Sequence, residues 1–214
     1  MRIAVFGATG ATGRHVVDQA LEAGHEVTAL VRNPAALSVR HHRLEVVVGD
    51  VGRARSVEDV VRGQHAVISA LGINQRRGPI SVTSDGARAI LTAMEDHNVR
   101  RLVVVSAHGA AESRDRSLYV LAVWATQGHK MRDKDRMEEL IRASDVDWTI
   151  VRPPALTEGP RTGAYRTGTD LPVRITSKIS RADLAEFLLR EAVEEAYVRE
   201  APTIVSERKK GARR

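Results

Sequence analysis

Short apolar runs and longer stretches with helical spacing take turns along this chain from its first residues to its last. Arg2–Phe6, Glu26–Val31, Leu44–Val48, His65–Ala70, Arg101–Val105 and Trp148–Val151 read as strands. Between them, Thr12–Ala23 places Val16, Val17, Ala20 and Leu21 on one helical face, and Gly24 follows as a left-handed cap. Further helices are predicted from a Ser56 cap to Arg62, over Val82–His97, over Arg132–Ser144, and from a Ser180 cap through Arg181 to about Ala192. Thr203–Val205 adds a last strand. Strand and helix in alternation predict an α/β fold: a doubly wound parallel sheet in three αβα layers. One domain is expected over residues 1–207, with a basic flexible tail at 208–214. Ser106–Met131 and Thr157–Leu171 fit no element. Both follow strand C-termini, where an open α/β sheet receives its ligands.

The sharpest chemical signal is Gly7-Ala8-Thr9-Gly10-Ala11-Thr12-Gly13, directly after the first strand. Glycines there let the chain turn tightly and let a pyrophosphate approach the backbone, which marks a Rossmann-type dinucleotide site. The backbone of Ala11 opens the helix whose N–H groups face the phosphates, and Thr9 and Thr12 offer hydroxyls. The second strand ends in Arg32, with no acid beside it, which favours the 2′-phosphate of NADP(H) over the bare ribose of NAD. Asp50 and Val51 after the third strand are candidates for the adenine, although an acid there can also cap the following loop. Leu71 and Gly72 after the fourth strand are candidates for the ribose side.

Composition narrows the choices. The 214-residue chain contains no cysteine, which excludes disulfides, thiolate metal sites and cysteine nucleophiles. Its net charge of +6 comes from basic residues interleaved with acids, except in Arg208–Arg214. Aromatic residues make up 3 %, too few for the stacking platforms of a single-strand binder, and no nucleic-acid partner is expected. No secretory signal pattern and no bilayer-long apolar run is visible, so a cytoplasmic protein without a membrane partner is expected. No histidine spacing suits a metal, and none is predicted. A monomer or weak homodimer is the expected state.

With these residues in place, the chain resembles the atypical short-chain dehydrogenase/reductases, and among them the NmrA-like and flavin reductase/biliverdin-IXβ reductase group. The resemblance rests on FGATGATG (Phe6–Gly13), LVRNPAAL (Leu30–Leu37), VVVGDV (Val46–Val51), SDGARAILTAM (Ser84–Met94) and VVVSA (Val103–Ala107). It continues through DRMEELIRAS (Asp135–Ser144), VRPP (Val151–Pro154), RTGAY (Arg161–Tyr165) and ISRADLAEFLLR (Ile179–Arg190). It implies that Ser106 lies beside the nicotinamide and the acceptor. A histidine common after the proline pair in biliverdin reductases is Ala155 here.

The Tyr-x-x-x-Lys pair of alcohol-oxidising relatives is absent in both registers: Val123 stands four residues after Tyr119, and Lys130 four before Lys134. Carbonyl chemistry is thereby disfavoured. Hydride transfer to a flavin or similar planar acceptor asks chiefly for orientation, with Ser106 as the candidate catalytic residue and Pro153 shaping the floor under the nicotinamide. Ser117–His129 reads either as an amphipathic lid or as ordinary core. The expected function is an NADPH-dependent reductase of a planar acceptor (flavin, quinone or tetrapyrrole). The alternative is a non-catalytic NADP(H)-sensing regulator of the NmrA-like kind.

Overall fold

A computed structural model describes residues 1–72 and 81–207. Its core is a six-stranded parallel sheet in the order β3-β2-β1-β4-β5-β6. The strands are β1 Arg2–Phe6, β2 Glu26–Val31, β3 Leu44–Val48, β4 Ala66–Ser69, β5 Arg101–Val105 and β6 Asp147–Val151. This is the doubly wound dinucleotide order, with its switch point between β1 and β4. Alternation along each strand feeds two cores. Ile3 and Val5 of β1 join α1 (Ala11–Glu22) and α5 (Arg181–Glu194) on one face. Ala4 and Phe6 join α2 (Ala54–Val61), α3 (Val82–Asp96) and α4 (Leu118–Arg142) on the other. Three αβα layers result, as the alternating pattern predicts.

The end of α1 shows how closely local sequence sets the structure. His25 N–H donates to Ala20 O (2.9 Å) and Gly24 N–H to Leu21 O (3.0 Å), with Gly24 at φ +82°. These bonds satisfy the last carbonyls of the helix, and the positive φ favours glycine at this position.

Several expectations are corrected. Ser56 does not cap α2, which starts at Ala54 after Arg53 and has no side-chain cap. Ser56 lies in the first turn instead, where its Oγ would be 2.5 Å from a β-carbon on Gly49; that glycine lets the helix settle on the end of β3. The helix expected over Arg132–Ser144 is the second part of α4, a 25-residue element broken at Gln127 (φ −133°, ψ 20°). Its first part lay in the unassigned stretch because Leu118–Ala125 is apolar on every side and shows no helical period.

The second unassigned stretch supplies β8 (Tyr165–Gly168), which pairs antiparallel with β10 (Thr203–Ser206) from the far end of the chain. Among the described residues, β10 touches the main sheet only through one bridge, from Thr203 to Arg152 just past β6. Ala155–Thr157 forms β7, which pairs with β9 (Lys178–Ser180). At one margin of the main sheet, Ile150 N–H donates to Glu200 O and Arg152 N–H to Pro202 O, so residues 200–202 cover β6. At the other margin β3 is open, with Val46 and Val48 exposed by 37 % and 62 %. The expected tail at 208–214 lies outside the described residues.

Candidate functional site

The glycine turn stands at the switch point. Gly7 has φ +79°, and a β-carbon on it would lie 2.5 Å from Ala70 O; one on Gly13 would lie 2.1 Å from Gly7 O. These two glycines let β1, the end of β4 and α1 meet at backbone distance. Gly10 N–H donates to Gly7 O, and the first helical bond runs from Arg14 N–H to Gly10 O. No side chain caps the helix, and no acid stands in its first turn. The N–H groups of Ala11, Thr12 and Gly13 are therefore left for an anion, at the positive end of the helix dipole. Thr9 is half-buried and Thr12 buried beside this turn. The donor set fits a dinucleotide pyrophosphate.

Arg32 is exposed just past β2 and forms no ion pair among the described residues. The backbone beyond it is held by its neighbours. Asn33 Oδ1 accepts Ala35 N–H (3.0 Å), and Arg14 donates to Ala36 O (3.1 Å). Asp50 is half-buried, and its Oδ1 accepts Gly52 N–H at 2.8 Å, so one oxygen caps the loop. Val51 and Leu71 converge on Gly86 of α3. A β-carbon there would meet Leu71 Cδ1 at 2.6 Å and Val51 Cγ2 at 3.4 Å. Two residues selected from separate strand ends thus share one wall, and Gly86, which the sequence reading passed over, admits them. Gly72 is exposed.

Ser106 follows β5, with its N–H donating to Val151 O. Its hydroxyl is turned inward, however, donating to Glu138 Oε1 at 2.5 Å, and the residue is only 3 % exposed. The proton of this candidate catalytic hydroxyl is thus given to a buried carboxylate. Glu138 is fully buried and also receives two bonds from Arg152; Arg152 in turn reaches Glu112, which pairs with Arg142. Burial opposes the charge on Arg152, but its bonds to the two glutamates prevail and raise its pKa. Sequence reading missed this cluster, since nothing local marks residues 112, 138 and 152 as neighbours. Pro153 is buried just past β6, and its carbonyl accepts His108 N–H (2.9 Å).

Lys134 stands at the same strand end. Its Nζ donates to Val105 O (3.2 Å) at the C-terminal end of β5, and burial lowers its pKa to about 8 despite nearby Glu138 and Asp133. The adjoining Asp133 carboxylate accepts from the N–H and hydroxyl groups of both Thr83 and Ser84, fixing α4 to the first turn of α3. Tyr119 is packed away with Val120, Val173 and Val205 and forms no hydrogen bond with Lys134. Trp124 donates to Gly109 O (2.9 Å) beneath the Arg114 guanidinium (3.6 Å). The inner side of the 117–129 stretch is therefore core. No cluster of metal-binding side chains occurs among the described residues.

A family described as NAD(P)H-binding matches residues 7–195. The uncharacterized protein YwnB of Bacillus subtilis is 30 % identical, over 97 % of this chain and 99 % of its own. A ceramide reductase of Caulobacter vibrioides is 33 % identical over 72 % of this chain, which spans only 46 % of that enzyme. The anaerobillin reductase ChuY of Escherichia coli O157:H7 has the same fold, with a TM-score of 0.83 at 23 % identity over 99 % of this chain and 100 % of its own.

Proposed function

The chain belongs to the NAD(P)H-binding family, and on that premise we propose that it is an NADPH-dependent oxidoreductase that passes hydride to a planar acceptor such as a flavin, quinone or tetrapyrrole. The observation that carries the reading is the uncapped, acid-free first turn of α1, with the unpaired Arg32 just past the neighbouring strand. In this reading the N–H groups of Ala11–Gly13 hold the pyrophosphate. Arg32 grips the 2′-phosphate, where a carboxylate would repel it. Val51 and Leu71 line the adenosine side, with Asp50 offering its second oxygen. Gly72 leaves the ribose room.

When bound, the nicotinamide supplies the hydride. The chain's own contribution is to hold donor and acceptor face to face, which is catalysis by proximity and orientation. Ser106, tied to Glu138, stiffens the end of β5 against β6, with Pro153 forming the floor. Lys134 holds a proton at this strand end near neutral pH and passes it to the reduced acceptor. The ceramide of the Caulobacter relative is not carried over, because more than half of that enzyme has no counterpart here.

A second reading, an NADP(H)-sensing regulator, draws on the same Ser106–Glu138 bond, which leaves the serine no free proton. One experiment separates them: NADPH absorbance followed with FMN, FAD, a soluble quinone and biliverdin in turn, with NADH in parallel. Saturable oxidation that prefers NADPH and one acceptor is the expected result. NADPH binding without oxidation by any acceptor would overturn the reductase in favour of the sensor.

A further inference from the structure

Two residues just past β5, His108 and Gly109, hold the first part of α4 in place. His108 N–H donates to Pro153 O just past β6 (2.9 Å). Its imidazole is buried, with Nδ1 3.3 Å from the Thr203 hydroxyl of β10 and the ring centroid 5.8 Å from that of Tyr119. Gly109 O accepts from Trp124 Nε1 (2.9 Å), and a β-carbon on Gly109 would lie 3.3 Å from Val120 Cγ2. Tyr119, Val120 and Trp124 all belong to the first part of α4. The break at Gln127 separates that part from the rest of the helix, whose Met137 and Ile141 are packed in the core against the main sheet.

His108 has no acceptor to offer a second proton. Its Nε2 is buried without a hydrogen-bond partner among the described residues. A neutral imidazole suits this place, with its proton at Nδ1 facing Thr203 and a bare nitrogen at Nε2. An imidazolium would put a further N–H where nothing receives it. Burial lowers the His108 pKa below the ordinary 6.5. Asp115, in the loop ahead of α4, pulls the other way, and Arg152 past β6 adds to the effect of burial. Both charges are already engaged, Asp115 by Ser117 N–H (2.9 Å) and Arg152 by Glu112 and Glu138. Tyr119 on α4 stays neutral, because burial raises its pKa, and Thr203 on β10 carries no charge.

We propose that His108 is an acid-sensitive latch, whose protonation frees the first part of α4 to swing about Gln127 away from the ends of β5 and β6. Between its folded pKa and 6.5, the closed form binds fewer protons than an open form whose imidazole meets water. Closure is therefore fullest above 6.5 and weakens as the pH falls. The opening equilibrium grows by up to about tenfold for each pH unit below 6.5, until the folded pKa is reached. Ser106 and Pro153 stand at the same two strand ends, so the swing alters one wall of the crevice where an open α/β sheet takes its ligands.

The test is hydrogen exchange of the full-length protein, read by mass spectrometry between about pH 8 and 5 and corrected for the pH dependence of an unstructured amide. Trp124 emission is followed in parallel, because Trp148 is buried in the core. From pH 6.5 to 5.5, exchange over residues 109–126 is expected to quicken by up to about tenfold, with a red shift of the emission and no change in β1, β4 and β5. His108→Gln keeps a neutral group beside Thr203, and His108→Phe suits the side toward Tyr119. Both should abolish the acid response, and either one that folds decides the matter. His129→Gln, two residues beyond the break, should leave the response intact. Exchange over 109–126 that is indifferent to pH in the wild type overturns the proposal. So does an acid response that survives in His108→Gln or His108→Phe, or one that His129→Gln removes.

Discussion

The carboxylate of Asp183 accepts two hydrogen bonds from Thr162, one from the backbone N–H at 2.6 Å and one from the hydroxyl at 2.9 Å. It takes a third from Gly163 N–H (3.0 Å), while Asp183 N–H donates to the capping Ser180 Oγ. Two distant sequence pieces, Arg161–Tyr165 and Ile179–Arg190, are therefore one physical unit. The loop before β8 is clamped to the first turn of α5.

Replacing Asp183 with asparagine should loosen that loop and cost about 2 kcal/mol, the scale of hydrogen bonds to a charged group. Burial pushes the Asp183 pKa up, but its hydrogen bonds to Thr162, Gly163 and Ser180 prevail and hold it below the ordinary 3.8. The stability it adds is thus present above that value and lost as the pH falls through the lower folded pKa. Urea melts of wild type and Asp183→Asn should differ at pH 7 and converge in strong acid.

Lys134 acts in the opposite sense. With its folded pKa near 8, below 10.5 for the exposed amine, the folded chain binds fewer protons than the unfolded chain between those values. Stability therefore rises with pH across that window, and the full cost is present below pH 8. Lys134→Met should raise stability at pH 7 by up to about 3 kcal/mol, with the gain shrinking toward pH 10.5. The same change should lower the reductase rate, and the wild-type rate should fall as the pH rises through 8. Thermal melts and pH–rate profiles on the same two proteins check both.

Glu138→Gln gives the buried Arg152 guanidinium a neutral amide in place of one of its two carboxylate partners, with Glu112 remaining. A loss of about 3 kcal/mol is expected, as for other broken buried pairs. Adding Arg152→Met should recover part of it, because the buried cation left with a single carboxylate partner is gone. A double-mutant cycle measured by denaturant unfolding gives the coupling.

Arg32→Ala should weaken NADPH binding by about 10- to 100-fold and leave NADH nearly unchanged, the scale of a charge-assisted bond to phosphate. Calorimetric titration with both dinucleotides checks this, and equal losses would remove the NADP assignment.

The six main strands were legible in the sequence because each is a short apolar run bounded by turn residues, and the glycine turn was legible because β1, turn and α1 are contiguous. The parts that escaped depend on partners far along the chain. Tyr165–Gly168 becomes a strand only when Thr203–Ser206 arrives beside it. The first half of α4 hid behind its uniform apolarity. At the site, Ser106 was selected through the family resemblance. Its hydroxyl is governed by Glu138, whose 32-residue separation leaves no local mark. Gly86 bears no local mark either, because the side chains that require it, Leu71 and Val51, come from two other strand ends.

The two margins of the main sheet differ, and that difference limits how the molecule can assemble. Residues 200–202 occupy the hydrogen-bonding side of β6, whereas β3 keeps its outer side open beside Val46 and Val48. Among the described residues, association through the main sheet therefore has one open margin per molecule. Two molecules joined through β3 would consume both of these margins at once, so growth through the main sheet ends at a pair.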